Sequence, residues 1–262
     1  MQHTSPRLVG MVHLGALPGA PRGGSLSEVV DRAVKDARVL SEAGFDGVFV
    51  ENYGDSPFHP DSVPPITVAA MTRVACALRS ALPPEVALGV NVLRNDARSA
   101  LAVATAANAS AIRVNVHSGA RVTDQGVLQG RAWETVRLRE SWRSDVAIWA
   151  DVAVKHSSPL GGERPLAEEV ADVVSRGRAD AVIVTGSGTG REASRSEIEL
   201  VRAAAGGARV YVGSGASEQT VASLLAIADG VIVGTALKCG GVTSAAVDPA
   251  RAQAFVRAAN RR

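Results

Sequence analysis

The sequence predicts one domain folded as a (β/α)₈ barrel, on three observations. Its 262 residues suit a closed parallel α/β barrel. Short Val/Ile-rich runs alternate with longer Ala-rich stretches of helical period, giving eight β–α units. The connections are also unequal: those from helix to strand are short, and most of those from strand to helix are long. Barrels that carry a site at the C-terminal ends of their strands show this asymmetry.

The strands are read at 8–13, 47–51, 87–92, 111–115, 146–154, 181–185, 209–212 and 230–233. The helices between them are read at 26–43, 66–82, 96–107, 131–143, 165–177, 194–205 and 217–227, with a last one at 249–260. Parallel strands follow, because each crossover is a helix. Gly44 and Gly177 read as helix C-caps. The elaborated loops are 14–24, 52–65, 116–130, 156–164 and 186–193, and several are rich in Gly and Pro. Hydrophobic residues make up 46% of the chain and aromatics only 3%, so small and β-branched side chains must fill the core. Cys76, Trp133 and Trp142 fall within helical stretches and read as packed residues.

The composition excludes several functions. The net charge is +2, with no basic stripe for nucleic acid. No apolar run is long enough to span a membrane, and the first residues lack the pattern of a signal peptide. Cys76 and Cys239 have neither disulfide-framework nor metal-ligand spacing. A cytoplasmic protein is expected, acting as a homo-oligomer on a small molecule.

Side chains alternate along a strand, and in a barrel one parity faces inward. The inward parity ends in polar residues on several strands: His13, Glu51, Asn91, the series Arg113, Asn115, His117, the pair Asp151 and Lys155, and Thr185. Unpartnered polar groups cost about 1–3 kcal/mol each when buried, so a ring of them at one end of a barrel points to a site. Arg113 and Asp151 could also simply pair inside the barrel. Glu51, Asp151, Lys155 and His117 are the candidate catalytic residues, and Lys155 could act as base, anion contact or imine former. His13, Asn91, Asn115, Thr185 and Gly186 are candidate substrate contacts. His13, Glu51 and Asp151 could alternatively hold Mg²⁺ or Zn²⁺.

The seventh strand runs into Gly213, Ser214 and Gly215, and the eighth into Gly234 and Thr235. The loops after strands seven and eight are a recurrent phosphate site in this architecture. Glycines there let backbone N–H groups approach an anion. These five residues are the candidate phosphate cradle.

The segments VGMVHLGALPGAP, DGVFVENYGDSPF, LGVNVLRND, IRVNVHSGARVTDQGVLQGRA, ADVAVKHSSPL, ADAVIVTGSGTG, VGSGAS and DGVIVGTALK together resemble the BtpA/SgcQ family, over nearly the whole chain. The resemblance implies a TIM-barrel fold. It adds Asn52, Asp55, Asn95 and Asp124 as candidate substrate-binding residues of the rim. It also implies two settings, photosystem I biogenesis and bacterial sugar utilisation, and the Ala/Arg-rich composition fits a sugar-linked or specialised pathway better.

Three functions follow as expectations. The first is an enzyme that uses acid/base lyase or isomerase chemistry on a phosphorylated sugar or nucleotide-like metabolite. The second is a non-catalytic biogenesis or assembly factor, which would need an exposed docking patch. The third is a metal-dependent hydrolase built on His13, Glu51 and Asp151.

Overall fold

In the computed structural model, residues 6–154, 156–185 and 193–261 are described. Eight parallel strands close into a barrel: β1 (Leu8–His13), β2 (Gly47–Glu51), β3 (Ala87–Asn91), β4 (Ala111–Val114), β7 (Ala147–Val152), β9 (Ala181–Val184), β10 (Arg209–Val212) and β11 (Gly230–Val233). Three strands lie outside this series: β5 (Ala120–Thr123) forms an antiparallel hairpin with β6 (Gly126–Gln129), and the short β8 (Ser158–Pro159) pairs with β5. This three-stranded sheet occupies the segments read above as plain loops.

The outer layer is α1 (Leu26–Ala43), α2 (Pro65–Ala81), α3 (Ala97–Ala106), α4 (Ala132–Ser141), α5 (Leu166–Ala171), α6 (Arg195–Ala204), α7 (Val221–Leu225) and α8 (Pro249–Ala259). The helix predicted at 165–177 is α5 followed by a π-helical turn, Asp172–Arg176. Gly44 caps α1 with φ 103°, as predicted. Gly177 ends its helix at φ −78°. There glycine is required by crowding instead: a Cβ would lie 2.6 Å from the Val173 carbonyl oxygen.

Two apolar cores result. The larger lies between strands and helices and is built from Val, Ala, Leu and Ile. The smaller fills the barrel with Val9, Met11, Phe49, Ala111, Trp149, Ala181, Ile183, Tyr211 and Ile232. Three of the few aromatics plug this interior, with the Trp149 ring 4.0 Å from Tyr211 and 4.9 Å from Phe49 by centroid. Gly89 makes room for them, since a Cβ there would sit 2.0 Å from the Phe49 ring.

Three residues read as packed are exposed. Cys76 lies on the outer side of α2, Trp133 is 63% exposed and Trp142 40% exposed. Helical spacing identified the element but not which of its faces is covered.

Candidate active site

Strand register explains why the polar residues meet. His13 pairs with Glu51, Glu51 with Asn91, and Asn91 with Arg113, so four adjacent strands bring four inward side chains into one row. This row stands above the aromatic plug, at the C-terminal end of the barrel. Asp151 enters from the next strand, two residues beyond Trp149, whose Cα partner is Arg113.

The row is tightly bonded. Asn91 Nδ2 donates to Glu51 Oε2 at 2.7 Å, and His13 Nε2 lies 3.9 Å from Glu51 Oε1. Arg113 grips Asp151 with two bonds, Nε to Oδ1 at 2.9 Å and Nη2 to Oδ2 at 3.0 Å. Asn115 Nδ2 donates to Asp151 Oδ2 at 2.7 Å. The expected Arg113–Asp151 pair therefore exists, and it is bidentate and almost fully buried.

Burial separates the protonation behaviour of the row. It pushes Glu51 above the usual carboxylate range, although Arg113 and the Asn91 hydrogen bond pull it back in part. It pushes His13 down to about 3, helped by the nearby positive charges of Lys238 and Arg113. For Arg113 burial acts downward, but Asp151 and Glu51 more than reverse it and hold the guanidinium above its ordinary value. His13 is thus neutral, and its buried Nδ1 has no hydrogen-bond partner among the described residues. Its ring lies 5.1 Å from that of Tyr53.

Above the row opens a cavity of about 770 Å³. Its walls bring together His13, Glu51, Asp151, Thr185, Gly213, Ser214, Gly215, Gly234 and Thr235 from the sequence-predicted set. Arg113, Tyr53, Phe58, Arg94, His156 and Thr243 also line it. Four strand ends and both glycine loops therefore share one space. Gly213 and Gly234 are each needed by packing as well. A Cβ at Gly213 would lie 2.4 Å from Ile183, and one at Gly234 would lie 2.6 Å from the His13 ring. Gly215 adopts φ 77°, a conformation that favours glycine.

Other candidates are placed elsewhere. Asn91 and Asn115 stand behind the cavity wall, as hydrogen-bond donors to Glu51 and Asp151. Asn52 braces loops: its Oδ1 accepts from the Leu93 N–H at 2.7 Å and its Nδ2 donates to Asp55 at 3.0 Å. Asp55 in turn accepts from the Leu17 N–H at 2.8 Å, tying the loop after β1 to the loop after β2. Asn95 likewise holds Val116 by two backbone bonds. Asp124 is exposed at the tip of the β5–β6 hairpin. His117 leaves the barrel axis because β4 ends at Val114. Its buried Nε2 sits 2.8 Å from the Gly177 carbonyl oxygen, in the helix layer. Lys155 and Gly186 lie outside the described residues.

The metal set fares differently. Both Asp151 oxygens are taken by Arg113 and Asn115, and among the described residues no three His, Cys, Asp or Glu side chains converge to hold an ion. His13, Glu51 and Asp151 therefore do not fit as ligands of Mg²⁺ or Zn²⁺. Among the described residues no helix is long and apolar enough to cross a membrane.

Tyr53, Phe58, Arg94 and Thr243 are not among the sequence-predicted residues: they lie beyond the strand ends, where alternation gives no guide, and only Tyr53 and Phe58 fall on one of the elaborated loops. Loop asymmetry points to the segment 52–65, but not to individual side chains within it.

Known proteins bear out the fold. Phosphoribosyl anthranilate isomerase from Thermotoga maritima superposes with a TM-score of 0.61 at 14% identity, covering 97% of this chain and 98% of that one. Orotidine 5'-phosphate decarboxylase from Pyrococcus horikoshii superposes with a TM-score of 0.59 at 16% identity, covering 97% and 100%. At these identities the likeness is one of architecture. In sequence, the photosystem I biogenesis protein BtpA of Synechocystis is 45% identical over 252 residues, which is 96% of this chain and 87% of that protein. The BtpA family model matches residues 4–261. This chain belongs to the BtpA family.

Proposed function

We propose that the chain is an enzyme for a phosphorylated small molecule, a sugar phosphate or nucleotide-like metabolite, and that it works by acid/base lyase or isomerase chemistry. One observation carries the reading: Glu51, whose carboxyl burial pushes above the usual range, and a neutral His13 share a cavity with two glycine loops. A carboxyl whose hold on its proton is strengthened by burial suits acid/base work, and an imidazole that stays neutral can hydrogen-bond to a substrate without taking up charge. Arg113, locked by Asp151, supplies fixed positive charge where negative charge would develop on a substrate. The phosphate would rest on the loops at 213–215 and 234–235, where close-packed glycines leave the backbone accessible. The solved neighbours, an isomerase and a decarboxylase named for phosphorylated compounds, supply an analogy of fold only.

The test is thermal stabilisation of the purified protein by sugar phosphates, nucleotides and their unphosphorylated parents. A ligand at about 100 times its Kd adds about 2.7 kcal/mol. Stabilisation by a phosphorylated compound, absent for its parent and abolished by Ser214→Asp, supports the reading. Stabilisation that survives Ser214→Asp refutes the cradle.

A second reading has one observation in its favour. Val122 (42% exposed), Val127 (54%) and Leu160 (56%) share a face of the small sheet, since Val122 pairs directly with Val127. Leu160 joins them because its N–H donates to the carbonyl of Ala120. This apolar face would suit an assembly factor or a second copy of the chain. Val127→Asp would then reduce association in sedimentation without affecting the ligand response.

A further inference from the structure

A second cavity of about 590 Å³ adjoins the mouth, and the two share Tyr53 and Phe58 as common walls. They also divide consecutive residues of one loop: Thr243 lines the mouth and Ser244 the outer cavity. The outer cavity holds Arg22, from the loop after β1, and Arg32, from α1, and no acidic residue lines it. Arg32 donates to the Ser244 carbonyl, which fixes its guanidinium against the loop. Among the described residues, neither arginine has an ion-pair partner. The nearby carboxylate, Asp36, is already committed. It is buried, with Lys238 Nζ at 3.3 Å and the Val247 N–H donating to it at 2.9 Å. Lys238 and Asp36 thus answer each other, and no acidic residue of the cavity wall offsets the charge of Arg22 and Arg32.

Resting on the proposed function above, we propose that the outer cavity receives a second anionic group of the same ligand. The substrate class is therefore a metabolite with two anionic groups, a phosphate on the glycine loops and a further phosphate or carboxylate on Arg22 and Arg32. Arginine suits this task because its planar fork matches both groups bidentately. The ligand's middle would pass the His13 and Tyr53 rings, above Glu51, which places the reacting atoms between two anchored ends. Anchoring both ends fixes the orientation of the reacting centre, which a single phosphate anchor leaves free to swing.

The test uses an anion probe first. Crystals of the full chain grown without phosphate or sulfate are soaked in tungstate and measured at the tungsten edge. The expected result is two anion positions, one at the glycine loops and one at Arg22 and Arg32. The second should vanish in the Arg22→Gln/Arg32→Gln variant while the first remains. Tungstate at the glycine loops alone overturns this inference and leaves the phosphate reading standing. Tungstate at neither place overturns both. Calorimetry then compares fructose 1,6-bisphosphate with fructose 6-phosphate at matched ionic strength. A preference of about tenfold for the bisphosphate, the worth of one charge-assisted hydrogen bond, should collapse in Arg22→Gln and in Arg32→Gln. A preference unchanged in both variants counts against the outer site. Arg22 makes no hydrogen bond or ion pair among the described residues, so its variant separates loss of binding from loss of fold.

Discussion

Replacing Asp151 with Asn tests whether the polar row is a stressed site or a self-sufficient structural network. The substitution keeps the shape and removes the charge. Arg113 then remains at the barrel mouth with a side chain 12% exposed, facing an amide in place of the carboxylate it now holds by two bonds. Removing one partner from a buried pair costs about 3–5 kcal/mol, because the surviving charge is left uncompensated. Glu51, the other carboxyl acting on Arg113, can offset part of this, but burial disfavours its charged form. The expected loss at neutral pH is therefore about 3 kcal/mol, read by urea unfolding with an unchanged m-value. A double variant, Arg113→Met/Asp151→Leu, removes both charges and should return most of that loss. A loss below about 1 kcal/mol for Asp151→Asn would refute the reasoning, since that is what an exposed pair delivers. So would a double variant no more stable than the single one.

Two further outcomes follow from the same geometry. The folded protein refuses a proton at His13 that the unfolded chain accepts below its ordinary value of 6.5, so stability drains away as pH falls from there toward about 3. His13→Gln should remove up to about 4 kcal/mol of that acid sensitivity by pH 3, seen in denaturant midpoints across the range; an unaltered slope would rule out a neutral buried imidazole. Glu51 works with opposite sign, gaining its proton earlier in the folded state, so Glu51→Gln should not flatten the same limb. Inside the barrel, Gly89→Ala should cost about 1–3 kcal/mol by overpacking, because its new methyl falls on the Phe49 ring. Phe49→Leu in the same chain should restore part of the loss in thermal melts, and a neutral Gly89→Ala would show that the plug yields easily.

Much of this was legible because two periodicities carry it. Helical and strand periods located eight units, and strand parity identified His13, Glu51, Asn91, Arg113 and Asp151 as inward. Parity stops being informative where a strand stops. The fourth predicted strand ends at Val114, so alternation does not carry to His117, whose ring bonds in the helix layer. Rim polarity is equally ambiguous in sequence. The family resemblance offers Asn52, Asp55 and Asn95 as ligand contacts, and in the fold each braces a loop, a task that calls for the same short polar side chains. The β5–β6 hairpin was invisible because four-residue strands offer too few alternations. Arg22 and Arg32 come together only through the fold, one from a loop and the other from a helix.

The glycine loops show how packing and function overlap, and which substitution separates them. Gly213 and Gly234 would be glycine even in a protein that binds nothing, since Ile183 and His13 leave no room for a Cβ. Their presence alone is therefore no evidence of an anion site, and Gly213→Ala or Gly234→Ala would disturb the barrel whether or not a phosphate binds. Shared exposure to one cavity says more: packing requires two separate close approaches, but it does not require both to open onto the space above Glu51 and Arg113. Ser214 lines the same cavity, and a serine there has no crowding to relieve. A charge introduced at that position meets the ligand rather than the core, so Ser214→Asp can remove binding without removing the fold.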